Sequence, residues 1–492
     1  MAGTEEDRLP KILIGWAARD VTPDKPVELF GQFNVRISKY VNDPLITTAL
    51  ALESDDGSEQ GIMVSLDAAG IQDSIRDQCR AKLAGLIPDF DSQKFFINAT
   101  HTHTAPSQPQ AVLVYPPQAP EVMTPDEYGR VLVKGISEAA SEAWRKRRPG
   151  GISWGCGQAV VGFNRRAVYL DGSAKMYGNT DDENFSHLEG HEDHGVEMLF
   201  TYDTKQKLTG MIINLACPSQ VTEGASFVSA DFWHETRNEI RKRHGRELFI
   251  FPQCSAAGDQ SPHLMLKKRA EARMLTLKGL TPDENGRGMA ERAEIANRIA
   301  RAVDEVLPLA AKDIHDRIVF KHKVTVLNLP RRIVTEEDLR FVREQAELHR
   351  KMLPEGNQDP ASVDFSRNFA RIGYFQKVVD RYEEQKASPT LPTEIHIIRL
   401  GDTAFASNQF EYFLDYGQRI KARSKAVQIF IVQLAGEGPY LPTRRAVTAK
   451  SYGAGIESSL VGPEGGQLIV NESVRLINEL FSGCGKATNP VL

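Results

Sequence analysis

Apolar runs alternate with amphipathic stretches along the first half of the chain. Lys11–Ala17, Thr47–Glu53, Gly61–Leu66 and Lys94–Asn98 are short and apolar, which predicts buried strands. Between them, Asp73–Leu86 has helical spacing, and Pro125–Arg147 predicts a longer helix rich in Ala, Glu and basic residues. Further strands are expected at Ile152–Gly157, Val196–Tyr202, Leu208–Asn214 and Leu248–Phe251, with a helix at Asp231–Arg246 between the last two. Gly288–Leu307 repeats apolar residues every three or four positions, which is a helix. Arg317–Leu329 then predicts a long strand. Thr335–Lys351 and Asp364–Gln385 predict two charged helices joined by the turn-rich "PEGNQDPAS". Strands resume at Glu394–Leu400, Thr403–Ala406 and Val427–Gln433. Strands interleaved with helices imply an α/β fold, with mixed β-sheets layered against helices. There are no repeats and no long linker. The pattern predicts one catalytic domain, with a core of about 11–330 and 391–482 and a helical hairpin inserted at 331–390.

Composition narrows the function. The chain has 492 residues, 41% of them apolar, which is enough for a large core. Its 60 Lys and Arg against 65 Asp and Glu give a net charge of −5, which argues against a nucleic-acid partner. No run approaches the length of a membrane span. Met1–Pro10 is polar and acidic, without the basic and apolar regions of a secretory signal. Cys79, Cys156, Cys217, Cys254 and Cys484 are scattered and odd in number, unlike a disulfide framework. A cytoplasmic location and a small-molecule substrate are the resulting expectations. The sequence leaves the oligomeric state open.

Common catalytic motifs are absent, so the chemistry has to come from polar residues at strand ends. In "FFINATHTHTAP" an apolar strand runs into His101 and His103. On an extended segment both would point to one side, as metal ligands must; the alternative is two solvated loop histidines. In "FPQCSAAGDQSP" small residues precede Ser261, either a nucleophile activated by a base or metal or part of a plain turn. Cys217, in "NLACPSQ", is either a thiolate ligand or a small buried hydrophobe. Glu411, in "ASNQFEYFLDYG", either binds a metal or caps a helix. Tyr452 precedes Gly453 and Gly455 in "TAKSYGAGIES". His187, His191 and His194, among acidic residues in "HLEGHEDH", fit an exposed loop better than a metal site.

Taken together and in order, these segments resemble the neutral/alkaline ceramidase family. The family's "ATHTHSGP" is similar to Ala99 through Pro106, and its "NRSP" to Asn164 through Ala167. Its "GDVSP" resembles Gly258 through Pro262, and its "PGEFTTMAG" resembles Asn408 through Gly417 with the Glu-to-Gly spacing kept. Its "QYEGG" and following "GP" resemble Ser451 through Pro463. The resemblance runs from about residue 12 to residue 465.

The resemblance implies a ceramidase-like catalytic fold and a zinc-dependent amidase. The zinc ligands carried over are His101, Glu411 and Tyr452. His103 and Arg165 map on substrate-contacting residues, and Ser261 on a serine proposed to act in hydrolysis. The metal would activate a water and polarise the scissile carbonyl. Tyr452 and His103 would stabilise the oxyanion, and Arg165 would orient an oxygen-rich substrate. One departure concerns the metal. The family's second zinc His, judged by its spacing from "SSD" or "SAD", lands on Cys217. A thiolate is a competent zinc ligand; otherwise the site is metal-free or recruits His234 or His263. The chain also lacks the family's secretion signal and C-terminal β-sandwich domain, so a small soluble substrate is expected in place of membrane ceramide. A metal-assisted glycosidase or esterase on the same scaffold, and a non-catalytic binding protein that kept the fold, are the competing readings.

Overall fold

The computed structural model describes residues 9–279, 288–353, 356 and 359–482. Cys484, nearly all of Met1–Pro10 and part of the "PEGNQDPAS" segment lie outside them. The main strands follow the apolar runs: β1 (Ile12–Asp20), β2 (Ile46–Ser54), β3 (Gln60–Leu66), β4 (Phe95–Ala99), β5 (Arg148–Gln158), β6 (Gly195–Asp203), β7 (Leu208–Leu215) and β8 (Phe249–Cys254). They form an eight-stranded sheet in the order β8-β7-β6-β5-β1-β2-β3-β4. A second sheet of four strands has the order of its sequence: β9 (Phe320–Pro330), β10 (Thr390–Leu400), β11 (Thr403–Ser407) and β12 (Gln428–Val432).

The two sheets stack face to face. Ile12, Trp16, Leu50 and Phe251 of the first meet Phe320, Ile398, Phe405 and Phe430 of the second in one buried apolar layer. Helices cover the outer faces. On the large sheet, α1 (Asp73–Leu86) and α2 (Pro125–Arg145) cover one end, and α3 (Phe232–His244) and α4 (Gly288–Ala310) the other. This placement follows from sequence, because the strands are apolar on both faces and need cover on both. After β9 come two helices, α5 (Glu336–Lys351) and α6 (Val363–Glu384), which form the predicted hairpin. Its ends meet where Pro330 pairs with Thr390, so it is an excursion from the β9–β10 connection. On the small sheet, α7 (Leu414–Arg423) and α8 (Pro463–Leu480) cover the outer face.

Most neighbours are antiparallel. Among the described residues, three pairs within these two sheets are parallel: β3 with β4, β7 with β8, and β11 with β12. Their carboxyl ends lead into the segments that carry His101, Cys217, Gly258, Glu411 and Tyr440. Ligands bind α/β sheets at such ends, where loops of parallel strands converge.

Two expectations need correction. His187 lies on a short strand, Phe185–Leu188, not in a loop. A further helix, Lys268–Leu277, and α8 were not expected from the pattern. Cys79, Cys156, Cys217 and Cys254 are all free thiols, as the spacing implied. Among the described residues no helix is long and apolar enough to cross a membrane.

Candidate active site

The strand end after β4 does not stay extended. His101 has φ of 66°, in the left-handed region that side chains other than glycine rarely adopt. Its backbone N–H is held by the Ala68 carbonyl at 2.8 Å. The Thr102 and Thr104 hydroxyls anchor the segment by donating to the Ser229 carbonyl at 2.8 and 2.9 Å. The two imidazoles therefore reach the same cavity through a turn, not through strand alternation. Their centroids are 4.9 Å apart. Gly31, with φ of 102°, makes room for His103: a Cβ there would lie 2.3 Å from the imidazole Cγ.

Glu411 arrives from the other sheet, on the two-residue strand Glu411–Tyr412. This strand pairs in parallel with Tyr440–Leu441, placing Glu411 beside Tyr440. Gly258 of the "GDQS" segment lies against the Glu411 backbone, where a Cβ would come within 2.3 Å of its carbonyl oxygen. That close approach is the reason for glycine. The next residue, Asp259, accepts from the Leu414 N–H at 2.9 Å and from the Asn164 amide at 3.1 Å. Arg165 follows Asn164, and its N–H donates to the Asp259 carbonyl at 3.0 Å. Three of the sequence segments are thus one hydrogen-bonded unit.

Within this frame His101 Nδ1 donates to the Ala69 carbonyl. Its Nδ1 therefore carries a proton, and in the neutral ring Nε2 is an acceptor. Nε2 is buried without a hydrogen-bond partner and lies 3.3 Å from Glu411 Oε2. Two acceptors facing each other in a buried site call for a cation. Ligands bound at about 2.0–2.1 Å to one tetrahedral zinc are separated by about 3.3 Å, so the pair has the right spacing. The backbone carbonyl on Nδ1 is the orienting partner metal-bound histidines usually have.

Burial alone would raise the Glu411 carboxyl, but the positive charges of a protonated His101 and of the Arg165 guanidinium at 3.8 Å hold it below the usual carboxylate range; a cation bound between His101 and Glu411 would take the place of that His101 proton. Arg165 is buried and donates to the Tyr177 hydroxyl at 3.0 Å, the Gly258 carbonyl at 3.0 Å and the Tyr440 hydroxyl at 3.3 Å. Burial opposes its charge, yet its neighbours, Tyr177, Tyr440 and Glu411, keep it well above its ordinary value. Tyr452 is 41% exposed as a residue. Its ring nevertheless packs edge-on against Tyr440 and Phe33, 5.5 and 5.9 Å between centroids.

The structure brings His101, His103, Glu411 and Tyr452 onto one cavity of about 270 Å³. The cavity is also lined by Tyr440 and by Tyr374, Val378 and Arg381 of α6. Arg165 and Ser261 stand behind this wall. Ser261 Oγ accepts from the Tyr177 hydroxyl at 3.0 Å and from the His263 N–H at 3.1 Å. Among the described residues no imidazole or carboxylate hydrogen-bonds to it, so Ser261 has no base beside it.

Cys217 does not join the cluster. It is 1% exposed, sits in the apolar group that includes Val161, Val221 and Trp233, and its thiol donates to the Pro218 carbonyl at 3.4 Å. Burial pushes that thiol well above its ordinary pKa, away from the thiolate a metal needs. Among the described residues no group of three or more His, Cys, Asp or Glu is placed to hold a metal. This covers His187, His191, His194 and His234 as well. His263, named only as an alternative ligand, instead faces Glu223 at 3.2 Å.

Sequence reasoning missed Tyr440, Tyr177, Gln220 and Glu223. Gln220 lies in the same strand-end segment as Cys217, and that position was its only signal. The others are loop or strand residues without a periodic pattern around them.

No protein-family model matches the chain, and no curated protein matches it significantly in sequence. Among solved structures, the neutral ceramidase from Pseudomonas aeruginosa is similar in fold. The TM-score is 0.67 at 18% identity, over 96% of this chain and 75% of that one. A structure of a ceramidase complexed with C2 is similar too, with a TM-score of 0.65 at 15% identity, over 96% of this chain and 75% of that one. The mixed α/β architecture expected from the motifs is the one observed.

Proposed function

We propose that this chain is a hydrolase that cleaves an amide bond in a small molecule, aided by a metal, zinc by the chemistry of its ligands. The observation that carries this reading is the bare, buried His101 Nε2 facing Glu411 on the wall of a cavity. His101, Glu411 and the Tyr452 phenol would hold the metal. Three protein ligands and one open position are the usual count for a catalytic zinc; burial raises the Tyr452 phenol, which would ligate only by giving up its proton as the metal binds. When bound, such a metal supplies polarisation of a carbonyl and a more acidic water.

The chain's own residues account for the rest. Arg165 supplies a fixed positive charge beside Glu411, where negative charge develops on the carbonyl oxygen during amide cleavage. Burial keeps the Tyr440 phenol protonated, so it serves as a hydrogen-bond donor at the same wall. Tyr374 and Val378 close the cavity from above and limit the acyl or amine part it admits. At about 270 Å³ the cavity falls just below the usual range for drug-sized ligands, which favours a compact substrate over a two-chain lipid. The likeness in fold to ceramidases supports amide over glycoside or ester cleavage.

Metal analysis by mass spectrometry, followed by hydrolysis of N-acyl, glycosidic and ester substrates, tests the reading. The expected result is about one zinc per chain, lost in both His101→Ala and Glu411→Gln, with an acid and an amine released from N-acyl compounds. Full turnover without metal would overturn the metal role. Sugar or alcohol release alone would favour the glycosidase or esterase reading.

A further inference from the structure

Beside the cavity, one loop residue outside every motif faces two imidazoles. Glu223 Oε2 lies 3.4 Å from His103 Nδ1, and its Oε1 lies 3.2 Å from His263 Nε2. The loop is held in place from below. Asp231 accepts from the Val221 N–H at 3.2 Å, the Thr222 N–H at 2.8 Å and the Thr222 hydroxyl at 2.6 Å.

The other nitrogen of His103 has its own partner. Gln220 Nε2 lies 2.8 Å from His103 Nε2. Arg165 sets the orientation of that amide, because Nη1 of a guanidinium can only donate and lies 3.3 Å from Gln220 Oε1. With its oxygen on Arg165, Gln220 presents its NH2 group to His103. An NH2 group donates, so His103 Nε2 accepts, and the ring proton sits on Nδ1 toward Glu223. The Gln220 end fixes the tautomer, and the Glu223 carboxylate lies 3.4 Å from the nitrogen that carries the proton. The wall at Gly31 leaves the ring little room to turn.

We propose that Gln220 and Glu223 are positioning residues that hold His103 as the neutral Nδ1–H tautomer, so that its Nε2 receives a hydrogen-bond donor of the substrate. In this arrangement His103 Nε2 is an acceptor that the Gln220 amide shares with an N–H or O–H group of the substrate. It does not donate to an oxyanion; at this wall the Tyr440 hydroxyl is the hydrogen-bond donor, with the Arg165 charge behind it. The consequence for substrate choice rests on reading the site as hydrolytic, but the tautomer does not.

The test is long-range proton–nitrogen correlation NMR on the full chain labelled with ring-15N histidine. The His103 signals are identified by their loss in His103→Gln. The expected result is a protonated Nδ1 and a bare Nε2 in the wild type. Glu223→Gln, whose amide oxygen still accepts, should keep that pattern. Glu223→Ala leaves the Gln220 amide on Nε2 and should keep the proton on Nδ1, whereas Gln220→Glu puts a carboxylate at each ring nitrogen and should protonate Nε2 as well. On an N-acyl substrate, Glu223→Ala should lower kcat by about 10–100-fold with little change in KM, and Glu223→Gln should restore most of it. A wild-type His103 protonated on Nε2 would overturn the proposal, as would an Nε2 left bare in Gln220→Glu. Circular dichroism checks that each variant folds, and Gln220→Glu carries the test if Glu223→Ala does not. If the tautomer is as stated but no amide is cleaved, the hydrolase reading fails and the assignment of His103 stands.

Discussion

Cys217 occupies the position where the resemblance to the ceramidases implies a metal-binding histidine, yet its thiol is turned into an apolar cluster. A side chain of that size fits either environment, so residue type alone does not decide. Packing decides it: Gly162 lies close enough that a Cβ there would touch the Cys217 Cβ at 3.3 Å. Cys217→Ser should therefore leave metal content unchanged and cost about 1–3 kcal/mol, because it buries a hydroxyl in an apolar setting. Cys217→His should overpack the strand end and cost about 1–3 kcal/mol or more. Zinc stoichiometry and urea midpoints on both variants measure this, and loss of zinc in Cys217→Ser would restore Cys217 as a ligand. Ser261 teaches a related lesson. The small-residue segment around it does build the site, but through Gly258 and Asp259, which join Glu411 to Arg165.

The hairpin of α5 and α6 is the element whose role the pattern could not show. Its charged faces read as an exposed appendage, but α6 braces three loops around the cavity. Ser366 Oγ accepts from the Val35 N–H at 3.1 Å, and Lys377 donates to the Val112 carbonyl at 2.9 Å. The Tyr374 hydroxyl donates to Ser458 Oγ at 3.1 Å. Arg381 donates to the carbonyls of Ser459 and Ile456 at 3.0 and 2.8 Å. These last contacts hold the loop that follows Tyr452. Arg381→Met keeps the bulk but loses both charged hydrogen bonds. It should cost about 1–3 kcal/mol, raise hydrogen exchange at Ile456–Ser459, and lower turnover. Unchanged exchange there would show that the loop holds itself. Other elements were hidden for plainer reasons. Gly465 and Gly466 in the first turn of α8 disguise a helix that tertiary packing stabilises.

At the scale of the whole molecule, the seam between the sheets carries a buried polar chain as well as apolar packing. His322 Nε2 and His396 Nδ1 are 2.9 Å apart, His396 Nε2 is 2.9 Å from Glu394, and Arg80 pairs with Glu394 at 2.7 Å. The His322 N–H donates to Glu59 at 2.9 Å, and Glu59 also pairs with Lys94, so β9 is tied to the turn before β3. Burial depresses the pKa of both histidines: that of His322 falls well below the ordinary value, and that of His396 falls despite Glu394. A depressed histidine pKa means that the unfolded chain binds more protons than the native one as pH drops below about 6.5. Stability should therefore hold at about pH 7.5 and be lower at about pH 5.5. His322→Gln should flatten that slope by about half in denaturation series at the two pH values; an unchanged slope would place the titrating groups elsewhere.

The sequence by itself determined the strands, the long helices and the α/β class, because each follows from a local period of apolar residues. It also marked His101, Glu411 and Tyr452, through their places in motifs that resemble those of the ceramidases. Only the tertiary structure decided which atoms meet. His101 turns through a left-handed residue, Cys217 points into a core, and Gln220 and Glu223 become the partners of His103. Each of those outcomes depends on side chains from segments far apart in sequence competing for the same space, and a local pattern carries no record of that competition.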